Sequence, residues 1–425
     1  MQRRTFIAGG AIALRALGAN ERVNFAVIGV GGRGRGHLGY IAKQPNARVA
    51  AVCDVNQAQT ERAVAITEKA QGDKPKVYED MRKVFDDKDI DAVSIATPNH
   101  WHALATIWAC QAGKDVYCEK PASYNIWEAQ RMVAAARKHN RMVQIGMQSR
   151  STEYKVRAMQ LLRDGALGKL YLAKGLCFKR RPSIGHTPDE PVPPGVNWDL
   201  FLGPAAMTPY SKNRHVYNWH WFWNTGNGDI GNQGIHEMDI ARWGLGVGLP
   251  NSGVSTGGKY VYTDDQETPN TQMATLDYGD KEIMFEVRGL PTGGEADLNA
   301  MGPNFVGNLF YGEKGFMAVD HVGFRIYLGD KREPGESGKA APGRGDETIA
   351  HFANFIDAIK SRKHEDLHGD VAIGAESVML VHIANTSYRL GRKVTFDPKT
   401  ESYPGDNEAN RMKTRNPYRP PYVVS

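Results

Sequence analysis

The sequence predicts an α/β protein with two domains: an N-terminal doubly wound parallel sheet, then a C-terminal α/β domain on a large, mostly antiparallel sheet. Three observations carry this. A glycine-rich turn follows the first apolar run, strand-like and helix-like segments alternate up to Arg150, and beyond it several strand-like segments recur without that alternation. A chain of 425 residues also exceeds what one small core serves.

The first element is "VNFAVIGVGGRGRGH", an apolar run from Val23 to Val30 carrying Gly29-x-Gly31-x-x-Gly34, with Gly32 and Arg33 in the turn and a helical pattern after it. Strand, glycine turn and helix in that order form the dinucleotide fingerprint of a Rossmann domain. The glycines admit a pyrophosphate to the backbone, and the helix N-terminus offers free amides. The next strand, "RVAAVCDV", ends near Asp54, twenty residues beyond Gly34. A carboxylate there takes both adenosine ribose hydroxyls and repels a 2'-phosphate, so NAD is favoured over NADP. Arg33 is expected against phosphate or adenine.

Gln57 to Ala70 reads as a helix, Tyr78 to Phe85 includes a short one, and "DAVSIATP" is a buried strand. "HWHALATIWACQAG" is a helix and "DVYCEKP" a strand. A further helix runs from Asn125 to His139, opened by Asn125 with Glu128 three residues on, and "RMVQIGMQSR" closes the series as the sixth strand. Ligands of such sheets bind beyond the carboxyl ends of the strands. Those ends carry Gly29 to Gly34, Asp54, Thr97 to His102, Glu119-Lys120-Pro121 and Gln148 to Arg150, one polar rim.

In the second domain "EYKVRAMQLLRDGALGKL" is a helix and "YLAKGLCF" a strand, and Pro182 to Pro209 is a proline-rich excursion suited to covering a site or a neighbour. "NWHWFWNTG" reads as a strand that sets Trp219, Trp221 and Trp223 on one face, either core or a stacking surface for sugar rings. "GNGDIGNQGIHEMDIARWG" reads as a helix over 232 to 243, with Asn232, His236, Asp239 and Trp243 on one side and Ile235, Met238 and Leu245 on another. Strands are expected at Val254 to Thr263, Gln272 to Asp277, Ile283 to Val287, Leu309 to Val319 and Phe324 to Leu328. Two late helices follow, the second capped by Gly391, and then a polar arm over 399 to 425.

Hydrophobic content of 41% and charged content of 24% are those of an ordinary globular chain. No window approaches about 18 uninterrupted apolar residues, so membrane insertion is not expected. Three arginines in the first twenty residues supply half of the +6 net charge, and the scattered remainder does not point to nucleic acid. The four cysteines lack CxxC spacing and read as packed thiols; no metal is assigned. "QRRTFIAGGAIALRALGAN" sets Arg3-Arg4 before a short apolar run, the pattern of a twin-arginine export signal over 1 to 20; without export the chain is cytoplasmic.

"CEKPAS" after "TPNHWHA", on a fold opening "IGVGGRG", resembles the glucose-fructose oxidoreductase, inositol dehydrogenase and MocA (Gfo/Idh/MocA) family. The stretch from Gly226 matches its second signature. The resemblance implies an NAD(P)-binding domain over 21 to 149, a substrate and oligomerisation domain with an open sheet over 150 to 398, and a homo-oligomer, dimer or tetramer. It places Lys120 on the reacting hydroxyl near the nicotinamide and makes His236 the general acid/base. Asn232 stands where many relatives carry Asp, and an amide orients a neighbour without taking a proton. Support for His236 is then sought from Asp229 or Asp239. Asn99, His102 and Glu119 join the cofactor side; Gln148, Arg150, Trp223 and Asp229 join His236 on the substrate side.

Three functions follow. One is NAD-dependent oxidation of a sugar or polyol hydroxyl. Another is a glycosidase or lyase that oxidises, eliminates, adds water and re-reduces with retained NAD. The last is a non-catalytic NAD and sugar sensor.

Overall fold

The computed structural model describes residues 22–291, 305–340 and 346–425; the export segment expected over 1–20 lies outside them. The first sheet collects β1 (Val23–Ile28), β2 (Ala47–Cys53), β3 (Lys76–Tyr78), β4 (Ala92–Ile95), β5 (Asp115–Cys118) and β6 (Val143–Ile145), interleaved with α1 (Arg33–Ala42), α2 (Gln57–Gln71), α3 (Met81–Asp86), α4 (His102–Gln111) and α5 (Ile126–Lys138). Its order is β3-β2-β1-β4-β5-β6, with every pair parallel. The chain therefore reverses direction across the sheet beside β1, and the crevice at that switch point opens over the glycine turn. The opening of α5 is as the sequence implies: the Asn125 side chain accepts the Glu128 amide at 2.9 Å.

The second sheet begins after α6 (Glu153–Arg163) with β7 (Leu170–Phe178). The excursion that follows carries α7 (Trp198–Leu202), and the signature stretch forms α8 (Gly228–Asn232) and α9 (Gly234–Leu245). Then come β8 (Ser252–Gly258), β9 (Thr271–Asp277), β10 (Glu282–Arg288), β11 (Phe305–Gly312), β12 (Gly315–Asp320), β13 (Gly323–Leu328) and β14 (Glu333–Lys339). The chain ends through α10 (Asp346–Ser361), α11 (Val371–Leu390), β15 (Val394–Thr395) and α12 (Asn407–Arg411). The nine-stranded order is β14-β13-β12-β11-β7-β10-β9-β8-β15, antiparallel except for β7 against β10. Leu309 to Val319, expected as one strand, is a hairpin turning after Gly312.

Three expectations change. The helix over 232 to 243 is two helices that meet at Gln233, so Asn232 ends one and His236 lies in the first turn of the other, which opens at Gly234. It has no wet polar face, because Glu237 and Asp239 are buried with the apolar residues. The tight seat follows from its glycines: a Cβ on Gly234 would lie 2.4 Å from the Phe285 ring of β10. "NWHWFW" is also no strand. Asn218–Trp221 is a 3₁₀ turn, which sends its indoles in different directions.

Domain and sequence order also part company. Helix α10 packs Phe352 and Phe355 on the first sheet, with Phe352 stacked on Tyr117 at 4.1 Å. The arm returns to the same half of the molecule, where Tyr422 packs on Trp101 and Tyr418 donates to Glu128 at 3.0 Å. Between the halves lies a buried ion pair: Arg150, after β6, grips Asp239 of α9 at 2.7 and 2.9 Å. Truncating one member strands the other charge in a low-dielectric interior. Arg150→Ala is expected to destabilise the cofactor-free protein by about 3 to 5 kcal/mol, checked by urea unfolding.

Candidate active site

A cleft runs across the carboxyl rim of the first sheet. Its floor is Gly29, Gly31, Gly32 and Arg33, one end is Asp54 with Asn56 and Gln59, and Thr97, Pro98, Glu119 and Lys120 continue it. The far wall comes from the second domain: Leu200 and Phe201, then His215 to Tyr217, Trp219, His220 and Asn232. The proline-rich excursion is what closes this wall, since Asn197 donates its amide to Val55 at 2.8 Å and Gly195 accepts from Gln57 at 2.9 Å.

The residues of the floor fit a dinucleotide. A Cβ on Gly34 would sit 1.9 Å from the Gly29 carbonyl, so only glycine lets α1 start against the turn. Asp54 is held by the amides of Val30 at 2.8 Å and Asn56 at 2.9 Å. Burial pushes its carboxyl up to about 6, although those amides favour the ionised form. It thus stands ready to accept from a ribose diol at neutral pH.

At the other end Glu119 is buried and organises its neighbours. It accepts from Arg33 Nε at 2.8 Å, pairs with His37 Nε2 at 3.0 Å and accepts the Lys120 amide at 3.2 Å. Burial alone would raise its pKa, yet the Arg33 guanidinium and the His37 contact outweigh it and hold the carboxyl well below its usual range. Arg33 is thus engaged by Glu119 through its Nε while still lining the floor of the cleft.

Lys120 links the two domains. Its Nζ donates to the Asn232 carbonyl at 2.8 Å, and burial lowers its pKa against the opposing pull of Glu119. The Asn232 amide donates to Asp229 Oδ1 and to the Tyr217 hydroxyl, both at 3.3 Å. Asp229 is gripped by Arg181 at 2.7 and 3.0 Å. His236 is partly buried; burial first and the Lys120 charge second hold its imidazole well below the usual range, and hence neutral. Neither expected carboxylate supports it: Asp229 pairs with Arg181 and Asp239 with Arg150.

Several expected site residues, His236 among them, are not among those lining the cleft. Trp223 lies outside the cleft wall, under Arg389 and 6.3 Å from Tyr388, because the 3₁₀ turn rotates it off the indole row. Gln148 and Arg150 are at the strand end but not on the wall. Asn99 donates to Asn227, and His102 bridges the carbonyls of Pro121 at 2.7 Å and Thr97 at 2.9 Å, so both brace the rim from behind. The sequence reading missed Arg181, Tyr217 and His220 as site residues. Their signal was the crowding of aromatic and basic residues at the two ends of a long excursion, Arg181 just before it and Tyr217 and His220 after it.

A buried, charge-organised strand end facing a glycine-floored nucleotide cleft, walled by a second α/β domain, defines a two-domain dinucleotide-binding α/β protein. Models of an oxidoreductase family match the chain in both halves, the NAD-binding Rossmann fold over 23–147 and the C-terminal alpha/beta domain over 178–252 and 344–424. The chain belongs to this Gfo/Idh/MocA family. Among relatives, it is 27% identical over 243 residues to 2,7-anhydro-N-acetylneuraminate hydratase of Mediterraneibacter gnavus, covering 57% of this chain and 54% of that protein. It is 25% identical over 265 residues to a glycosyl hydrolase family 109 protein of Saccharopolyspora erythraea, covering 61% and 50%. Inositol 2-dehydrogenase of Salmonella paratyphi B is 32% identical over 151 residues, covering 35% and 44%. The matched stretches thus span about half the length of these relatives. The fold is similar to that of levoglucosan dehydrogenase in complex with NADH and L-sorbose, with TM-score 0.67, 19% identity, and 88% and 99% of the two chains covered.

Because an ionised Asp54 accepts from both ribose hydroxyls and a protonated one does not, NAD binding is expected to weaken as pH falls through about 6. At pH 5 the Kd should be about tenfold that at pH 7, with the step lost in Asp54→Ala. Fluorescence titration with NAD across this range checks it.

Proposed function

We propose that the protein oxidises a sugar or polyol hydroxyl with NAD. The observation that carries this is the placement of Lys120: its ammonium lies on the wall of the cleft that Gly31, Gly32 and Asp54 line, clamped at 2.8 Å to the Asn232 carbonyl. The names of relatives that act on inositol and levoglucosan support the substrate class. Bound NAD supplies the hydride acceptor. Lys120 has two donors beyond the one given to Asn232, and they steady the reacting oxygen as negative charge gathers on it. His236, neutral before reaction, takes the hydroxyl proton, and charge developing on the oxygen offsets the cost of an imidazolium near Lys120.

A second reading, oxidation followed by elimination, water addition and re-reduction with retained NAD, draws support from the hydratase and family 109 relatives. NADH accumulation with free sugars and added NAD favours the dehydrogenase; aglycone release over many turnovers without net NADH overturns it. In either case Lys120→Ala and His236→Ala are each expected to lower turnover by about 10²- to 10⁴-fold while NAD binding persists. Normal turnover in both variants would sink the assignment.

We also propose export through Arg3-Arg4 in the folded state. Replacing both by lysine is expected to leave the protein in the cytoplasmic fraction; unchanged fractionation would refute it.

A further inference from the structure

The 3₁₀ turn at Asn218–Trp221 carries an imidazole that the chemistry above does not use. His220 lies on the cleft wall with Lys120 and Asn232, whereas His236 is not among the residues lining it. Its Nδ1 is 2.5 Å from the Tyr217 carbonyl. A carbonyl only accepts, so Nδ1 carries the proton and Nε2 presents a lone pair. That Nε2 has no hydrogen-bond partner among the described residues. No side-chain hydrogen bond of this kind sets the tautomer of His236 among them.

The ring is also held in place. It stacks on Trp219 with centroids 3.6 Å apart, and its backbone leans on Gly226, where a Cβ would come within 2.3 Å of the His220 carbonyl. Burial pushes its pKa down to about 3 despite the Tyr217 contact, and the charges of Lys120 and Arg181 push the same way, with His102 beyond them. The geometry, a tautomer-fixed and rigidly seated imidazole with Nε2 free on the cleft wall, suits proton transfer; the lowered pKa makes the imidazolium, once formed, a strong acid that readily returns its proton.

We propose that His220 is a second catalytic proton-transfer residue, acting on the carbon beside the oxidised position and on the group that leaves from the next one. The assignment rests on the second reading above, in which the proposed oxidation is followed by elimination. Net dehydrogenation needs one base, at the hydroxyl. In elimination, Nε2 takes the C–H proton next to the new carbonyl, that electron pair forms the C=C bond, and the C–O bond to the leaving group breaks. The imidazolium then returns the proton to the departing oxygen, giving an enone and an alcohol with no change in electron count. Water added across the C=C bond uses the same group in reverse.

The test loads the full-length protein with NAD in D₂O and presents p-nitrophenyl glycosides and the parent free sugars. It reads single-turnover NADH absorbance, p-nitrophenol release and deuterium on recovered sugar. The wild type is expected to incorporate deuterium beside the oxidised carbon. In His220→Asn, deuterium incorporation and phenol release should fall by more than 100-fold while NADH formation falls by less than tenfold; His236→Ala should lose all three together. NAD affinity and circular dichroism confirm that the variants fold. NADH formation by the wild type without deuterium incorporation overturns this proposal and leaves the oxidation standing. So does equal loss of all signals in a folded His220→Asn, or a ¹⁵N spectrum that places the His220 proton on Nε2. Absence of NADH with every sugar overturns both.

Discussion

Glu119 is the constraint on which the site depends. A carboxylate this deeply buried must be compensated, and it is: by the Arg33 guanidinium from the glycine turn, by His37 from α1 and by the Lys120 amide beside it. One charge therefore ties the nucleotide floor, its helix and the reactive strand end into a single rigid unit. The fit is close on its other side as well, since a Cβ on Gly146 would approach the carboxylate to 3.0 Å.

From that unit Lys120 reaches across to the second domain, where it meets a backbone carbonyl rather than a side chain. The Asn232 side chain is left to link Asp229 and Tyr217. An acid at 232 would place a second carboxylate beside Asp229, whose oxygens Arg181 already engages. The amide thus suits a wall whose charges are already paired, with one neutral imidazole, His220, on that wall and another, His236, in the helix behind it. The same pairing explains why Asp239 does not serve His236: its role is to join the domains through Arg150.

Nothing in the described helices is long and apolar enough to cross a membrane, and all four cysteines are buried and free. The stabilising devices are instead aromatic and ionic contacts between distant segments. Helix α10 completes the first domain from the far end of the sequence, and the arm closes over α4 and α5. A boundary drawn near residue 150 by the change in pattern marks where the chain leaves the first sheet, but not where that domain's core ends.

What the sequence determined by itself is local. Apolar runs, glycine spacing and cap residues act within a few positions, so the strand-turn-helix floor, Asp54, the Asn125 cap and the strand end at Lys120 were all legible. Only tertiary structure decided which polar residue faces which partner. Period alone cannot say that Gln233 breaks a helix, that Asp229 and Asp239 meet arginines remote in sequence, or that a 3₁₀ turn takes Trp223 off the wall and brings His220 onto it. Those outcomes follow from burial, where each charge must find a partner wherever the fold brings one within reach. The opening glycine-rich signature was therefore readable as a site wall, while the identity of the groups presented on it was not.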